Sequence, residues 1–184
     1  KAQLRQTAET YIEIKEGIYN DLIEEFVNDT ARWNATINAN TLTVSFRGGG
    51  QFIGTSDKLS IDFQKKLDSF IPRYLGRLND NYREYIDELR VEGHASTEGS
   101  YMSNMSLSQN RSLQVLKYIL LNSEVVHDPE LYSWLQVSSS ASGLSSSRPL
   151  EYPDDSLAKK KKNRRVEFII KLAAERELES ILDL

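Results

Sequence analysis

From Leu4 to Phe26 apolar side chains recur at helical spacing: Leu4, Ala8, Tyr11, Ile12, Ile18, Tyr19, Leu22, Ile23 and Phe26. The spacing predicts one helix over residues 2–33. Its outer face is acidic, with Glu9, Glu13, Glu16, Asp21, Glu24, Glu25 and Asp29. Such a helix either docks on its own domain or acts as a coiled-coil or linker arm; strict heptads are not sustained. Residues 34–40 read as a connector. Thr41–Phe46 then alternates with period two, the mark of a half-buried strand, and Gly48-Gly49-Gly50 ends it. The triplet lacks the Lys and Ser/Thr of a phosphate loop, so it reads as a flexible turn.

Helical spacing returns from Lys58, with Leu59, Phe63, Leu67, Phe70, Ile71, Tyr74, Leu75 and Leu78 on one face; Pro72 should kink or split this helix. Leu89–His94 alternates as a strand. After a polar loop over 95–103, the Ser106/Gln109 pair reads as a capping box opening a helix with Leu107, Leu113, Leu116, Ile119 and Leu120 buried. A short helix should start at 127–130, and a strand is expected over 135–139. Seven of the ten residues 138–147 are serine, which reads as a long loop inside the domain. Lys159–Lys162 with Arg164 and Arg165 reads as a solvated basic loop before a last strand, Val166–Ile170. Helical spacing closes the chain over 173–184. Helices and strands in this order imply an α+β fold, a mixed sheet with helices packed on one side.

Composition narrows the function. The 184 residues carry a net charge of −4, with 39% hydrophobic and 27% charged side chains, as in a globular protein with a sizeable core. The acidic balance argues against a nucleic-acid partner. The sequence has no cysteine, which removes disulfides and thiol chemistry. No stretch approaches the roughly 18 apolar residues of a membrane span. The chain opens on Lys1 rather than Met and reads as a fragment or processed product.

Residues 89–111 hold the candidate chemistry. A strand delivers Gly93-His94, a polar loop with Gly99 follows, and a helix carries Arg111 about one turn inside its expected start. The first amides of a helix attract anions, and a guanidinium can hold a carboxylate by two parallel bonds. Asn104, just before that start, offers a donor and an acceptor. Taken alone, Arg111 fits a structural ion pair equally well. His94 reads as a hydrogen-bonded structural residue and His127 as a surface residue. No third ligand stands at a metal-type spacing beside Glu92 and His94, and there is no nucleophile motif, so neither a metal, a cofactor nor catalysis is expected.

Taken together, Val91-Glu92-Gly93-His94-Ala95-Ser96-x-x-Gly99, Asn104-x-x-Leu107-Ser108-x-x-Arg111, Gly143 with Arg148-Pro149, and Asn163-Arg164-Arg165-Val166-Glu167 resemble the OmpA-like peptidoglycan-binding domain of OmpA, Pal and MotB. The resemblance covers 41–171. It implies a domain at 41–171 with a linker helix at 1–36 and a helical extension at 172–184. It also implies non-covalent, non-catalytic binding of the peptidoglycan stem peptide. Arg111 would take the carboxylate of its diamino acid, with Asn104, Ala95, Ser96, Leu107 and Ser108 completing the site. Two positions depart from the family's pattern. Ser96 stands where the family has the acidic partner of the ligand ammonium, and Ile53 follows Phe52. A lost charge-assisted bond is worth roughly 1.5–3 kcal/mol, and Glu98 or Asp57 could supply it. The long N-terminal helix resembles the layout of MotB-like or Zorya-type motor subunits. That layout implies a periplasmic homodimer, tethered to the inner (or outer) membrane by a segment outside this sequence and working with a membrane partner subunit. The alternative is a dimerisation or protein-interaction module that has weakened or lost the ligand.

Overall fold

A computed structural model describes residues 1–182. Five strands form one sheet: β1 (Ala35–Asn38), β2 (Thr43–Phe46), β3 (Ile86–His94), β4 (Ser139–Gly143) and β5 (Arg165–Leu172). Their order across the sheet is β1-β2-β5-β3-β4, antiparallel except for the parallel β3/β4 pair. Register places Phe46 opposite Val166, and Val44 and Val91 on either side of Phe168. These side chains make one apolar face, and the helices cover it as expected.

The helices are α1 (Ala2–Phe26), α2 (Thr30–Trp33), α3 (Ile61–Asn81), α4 (Tyr101–Leu120), α5 (Ser123–Val126), α6 (Pro129–Ser138), α7 (Leu157–Asn163) and α8 (Ala173–Leu182). Phe70 of α3 lies at the core's centre, fully buried, with ring centroids 5.2 Å from Phe26, 5.2 Å from Phe46 and 5.0 Å from Phe168.

Several elements differ from the sequence reading. The first helix stops at Phe26, and a separate turn, α2, carries Trp33 into the core. The supposed connector holds β1. Pro72 does not split α3, which runs through it as one helix. The fourth helix begins at Tyr101, where the Ser100 hydroxyl accepts from the Ser103 amide, so Ser106 lies well inside it. Residues 135–138 finish a helix rather than start a strand. That helix begins as expected, with Asp128 capping Leu131 and Pro129 in the first turn. Half of the serine run is strand β4, and the four lysines of the basic run lie in helix α7, with Arg164 at its end and Arg165 opening β5. The closing helix forms over 173–182; residues 183–184 lie outside the described residues.

The inner half of α1 is docked. Ile18, Leu22 and Phe26 are buried, and a charged clamp fixes the helix to α3. Glu25 meets Arg73 Nε at 2.6 Å and Arg77 Nη2 at 2.7 Å, and Asp29 meets Arg73 Nη2 at 2.8 Å. The Arg73 guanidinium also lies 4.8 Å over the Phe26 ring. The bond from Arg73, helped by Arg77, holds the Glu25 carboxyl below its ordinary 4.5 against the opposing effect of burial. A folded-state value below the unfolded one gives stability that is present above about pH 4.5 and lost as pH falls through the lowered value. Glu25→Gln should therefore cost about 1 kcal/mol at pH 7, a figure kept small because solvent screens the two arginines. The gap from wild type should shrink toward pH 3, as read by urea unfolding at both pH values.

Candidate functional site

A cleft of about 430 Å³ opens between the turn after β2, the loop after β3, α4 and the end of α7. Each wall is fixed locally. In the turn, Gly48, Gly49 and Gly50 all have positive φ, which side chains disfavour. The Gly48 and Gly49 amides donate to the Lys161 and Arg164 carbonyls, at 3.1 Å and 3.2 Å. The loop over 95–99 is held from three sides. The Ala95 amide donates to Ser145 O at 2.8 Å, and Asn104 Nδ2 donates to Ser96 O and Glu98 O at 3.2 Å and 2.9 Å. Asp154 accepts from the Thr97 amide at 2.8 Å and from the Thr97 hydroxyl.

Arg111 forms one side of the cleft. Its Nε donates to Ser56 O at 3.0 Å, its Nη2 to Gly54 O at 3.1 Å, and its guanidinium lies 4.7 Å over the Phe52 ring. No carboxylate among the described residues lies within ion-pair distance of it. Burial pushes its pKa down and the nearby Arg164 adds to that, while Asp57 opposes. A guanidinium keeps its proton under such pressure, so the cleft holds a cation without a direct counter-ion.

The structure brings Arg111, Asn104, Ala95, Ser96, Leu107 and Glu98 together around this cleft. Ser108 and Asp57 do not line it. Ser108 is buried beneath α4, donating to Met105 O at 3.1 Å and accepting from the Ser145 amide at 3.0 Å. Leu107 and Ser108 are also not at a helix start, because α4 begins at Tyr101. An anion here would therefore meet side chains rather than the helix's free amides. Ser96 is buried, and its hydroxyl accepts from Arg164 Nε at 3.2 Å.

Arg164 and Lys161 are cleft residues that the sequence reading assigned to solvent. The signal was present in the Asn163-Arg164-Arg165 motif. Asn163 is fully buried and ties down the preceding loop, its Oδ1 accepting from the Leu150 and Glu151 amides. Arg164 then ends α7 and lines the cleft, while Arg165 opens β5 and lies elsewhere.

Arg165 belongs to a second charged cluster. His94 Nε2 lies 3.0 Å from Glu167 and 3.3 Å from Glu92, so the fold does supply the third potential ligand that linear spacing lacked. Each carboxylate already faces an arginine: Arg165 is 2.9 Å from Glu167 and Arg90 is 3.5 Å from Glu92. Burial raises the Glu167 pKa, but His94 and Arg165 outweigh it and the net shift is downward. His94 Nδ1 is buried without a partner, whereas a metal-bound histidine ordinarily donates that N–H to a second group. Arg90 pairs more closely with Glu88, at 2.9 Å, so three carboxylates, two arginines and His94 form one ion-pair network.

The fold is shared with periplasmic domains of the MotB type. The chain superposes on a MotB-like protein from Desulfovibrio vulgaris with a TM-score of 0.63, at 22% identity, covering 92% of this chain and 95% of that one. It superposes on the cell wall anchor of the T6SS from Pseudomonas aeruginosa with a TM-score of 0.58, at 20% identity, covering 82% and 96%. The periplasmic domain of Helicobacter pylori MotB gives 0.53 at 20% identity, covering 81% and 96%. No family model matches. In sequence, the chain is 34% identical over 193 aligned positions to the Zorya protein ZorB of Escherichia coli (Crooks strain), covering 99% of this chain and 79% of that protein. The chain belongs to the ZorB family.

Proposed function

We propose that this chain is the periplasmic, non-catalytic cell-wall anchor of a membrane-tethered protein, binding the peptidoglycan stem peptide non-covalently. The observation that carries this reading is Arg111, a half-buried guanidinium in a preformed cleft with no carboxylate of its own. Its Nε and Nη2 bond to backbone carbonyls that hold it in place, leaving Nη1 uncommitted among the described residues. The diamino acid's carboxylate would pair with it, beside Asn104, Leu107 and the loop over 95–98. The shared fold with a T6SS cell wall anchor and with MotB supports the same reading.

In this reading residues 41–171 are the binding unit, with 1–36 as the connecting helix and 172–184 as an extension. The protein works as a homodimer with a membrane partner subunit. A second reading, an interaction module with weakened ligand binding, is favoured by Ser96, whose hydroxyl brings no charge. Sedimentation separates the two. The chain should pellet with insoluble peptidoglycan sacculi and be released by soluble muropeptides. Recovery in the supernatant at the level of a sacculus-free control would overturn the anchoring reading.

A further inference from the structure

We propose that the cleft selects stem peptides whose diamino-acid side-chain amine is acylated, as in a cross-link, over those whose amine is a free ammonium. This rests on the peptidoglycan-anchoring reading and specifies the form of the ligand.

The charges that line the cleft carry the inference. Arg111, Arg164 and Lys161 are cationic, and Glu98 is the one carboxylate among the described lining residues. Glu98 is already committed: its Oε2 lies 2.5 Å from Arg164 Nη2 and 3.9 Å from Lys160 Nζ. A ligand ammonium at Glu98 would be a third cation on one carboxylate, and it would face Arg111 and Lys161 across the same space. Like charges within one cleft repel, and a guanidinium cannot relieve this by losing a proton. Ser96 brings no compensating charge: its hydroxyl is neutral and accepts from Arg164 Nε, which sets a further cation beside it. Burial is the main cause that lowers the Arg111 pKa; the Arg164 charge adds to it and Asp57 opposes it.

An acylated amine reverses the balance. It is a neutral amide with one N–H and one carbonyl. The carbonyl is an acceptor for a cleft of cationic donors, and the N–H can be taken by Asn104 Oδ1, which is uncommitted among the described residues because Asn104 uses its Nδ2 to hold the loop. The ligand's carboxylate still meets Arg111. Glu98 thus serves as an internal counter-ion of Arg164 rather than as the partner of a ligand ammonium.

The experiment titrates the whole chain calorimetrically with a disaccharide-tripeptide monomer whose diamino-acid amine is free, and with the same monomer after N-acetylation. Acetylation should tighten binding at least fivefold; equal or weaker affinity overturns the proposal. In Arg164→Gln, which keeps a donor for Ser96 and releases Glu98, that preference should fall to about unity or reverse; an unchanged ratio also overturns it. Because each ratio is taken within one protein, a general loss of stability cancels. If neither monomer binds while the chain still pellets with sacculi, the inference falls and anchoring stands. If the chain does not pellet either, the anchoring reading falls with it.

Discussion

Gly143→Ala should destabilise the protein by about 3 kcal/mol or more, with loss of the cleft as a consequence. Gly93 and Gly143 are paired across the parallel β3/β4 ladder, directly beneath α4. A Cβ at Gly143 would fall on the Gln109 backbone nitrogen and within 2.6 Å of Ser108 C and Gln109 Cα; one at Gly93 would come within 2.5 Å of Ser108 O. Backbone cannot swing aside as a side-chain tip can, so α4 would have to rise off the sheet. Gln109 adds to the same contact, donating to Ala141 O at 3.2 Å and accepting from the Gly143 amide at 2.8 Å, which covers part of the exposed edge of β4. Asn104, Leu107 and Arg111 all ride on this helix, so its height above the sheet sets the depth of the cleft. Chemical denaturation should show the loss as a lowered midpoint. A variant within 1 kcal/mol of wild type would mean that the sheet and helix can separate cheaply.

Arg111→Ala should reduce retention on sacculi by at least tenfold while leaving the fold intact. Its removal takes away the charge for the ligand carboxylate, and charge-assisted bonds of this kind are worth about 1.5–3 kcal/mol. It also takes away two bonds that anchor the turn carrying Gly54 and Ser56, together with the contact over Phe52. Arg111→Lys separates these roles. A lysine restores the charge but not the fork that reaches both carbonyls, so it should recover only part of the binding. Sedimentation at fixed sacculus concentration reads both variants, and circular dichroism checks the fold. Equal retention of wild type and Arg111→Ala would remove Arg111 from the site.

Elements with an apolar stripe were legible because burial selects the stripe directly. The face from Phe63 to Leu78 and the alternation in Leu89–His94 and Val166–Ile170 mark α3, β3 and β5. Strand β4 is Ser-Ser-Ala-Ser-Gly and shows no alternation; it is a strand because Gly143 lets it lie under α4, beside β3. Helix α7 has four consecutive lysines and no buried stripe. It forms because Ser156 caps its first turn and Asn163, fully buried, secures its end. The observed cap of α4, Ser100, lies six residues before the Ser106 cap that the S-x-x-Q pattern points to, because Ser100 caps through the Ser103 amide with no Glu or Gln to mark it. Only the chain direction leaving β3 distinguishes them.

The sequence alone determined the α+β class and the family resemblance, and its N-x-x-L-S-x-x-R pattern pointed to Asn104, Leu107 and Arg111, which the structure places along one cleft. It also determined the lack of thiol chemistry. Tertiary structure decided which charges meet. Arg164 lies 53 positions beyond Arg111 in the chain, yet the two line one cleft, and Glu98 pairs with Arg164. It likewise placed Glu167 against His94, and turned Ser108 from a ligand position into a packing residue. Periodicity records which side of an element is buried, because burial acts on each residue in turn. Electrostatic pairing acts through space between distant segments and leaves no period to read.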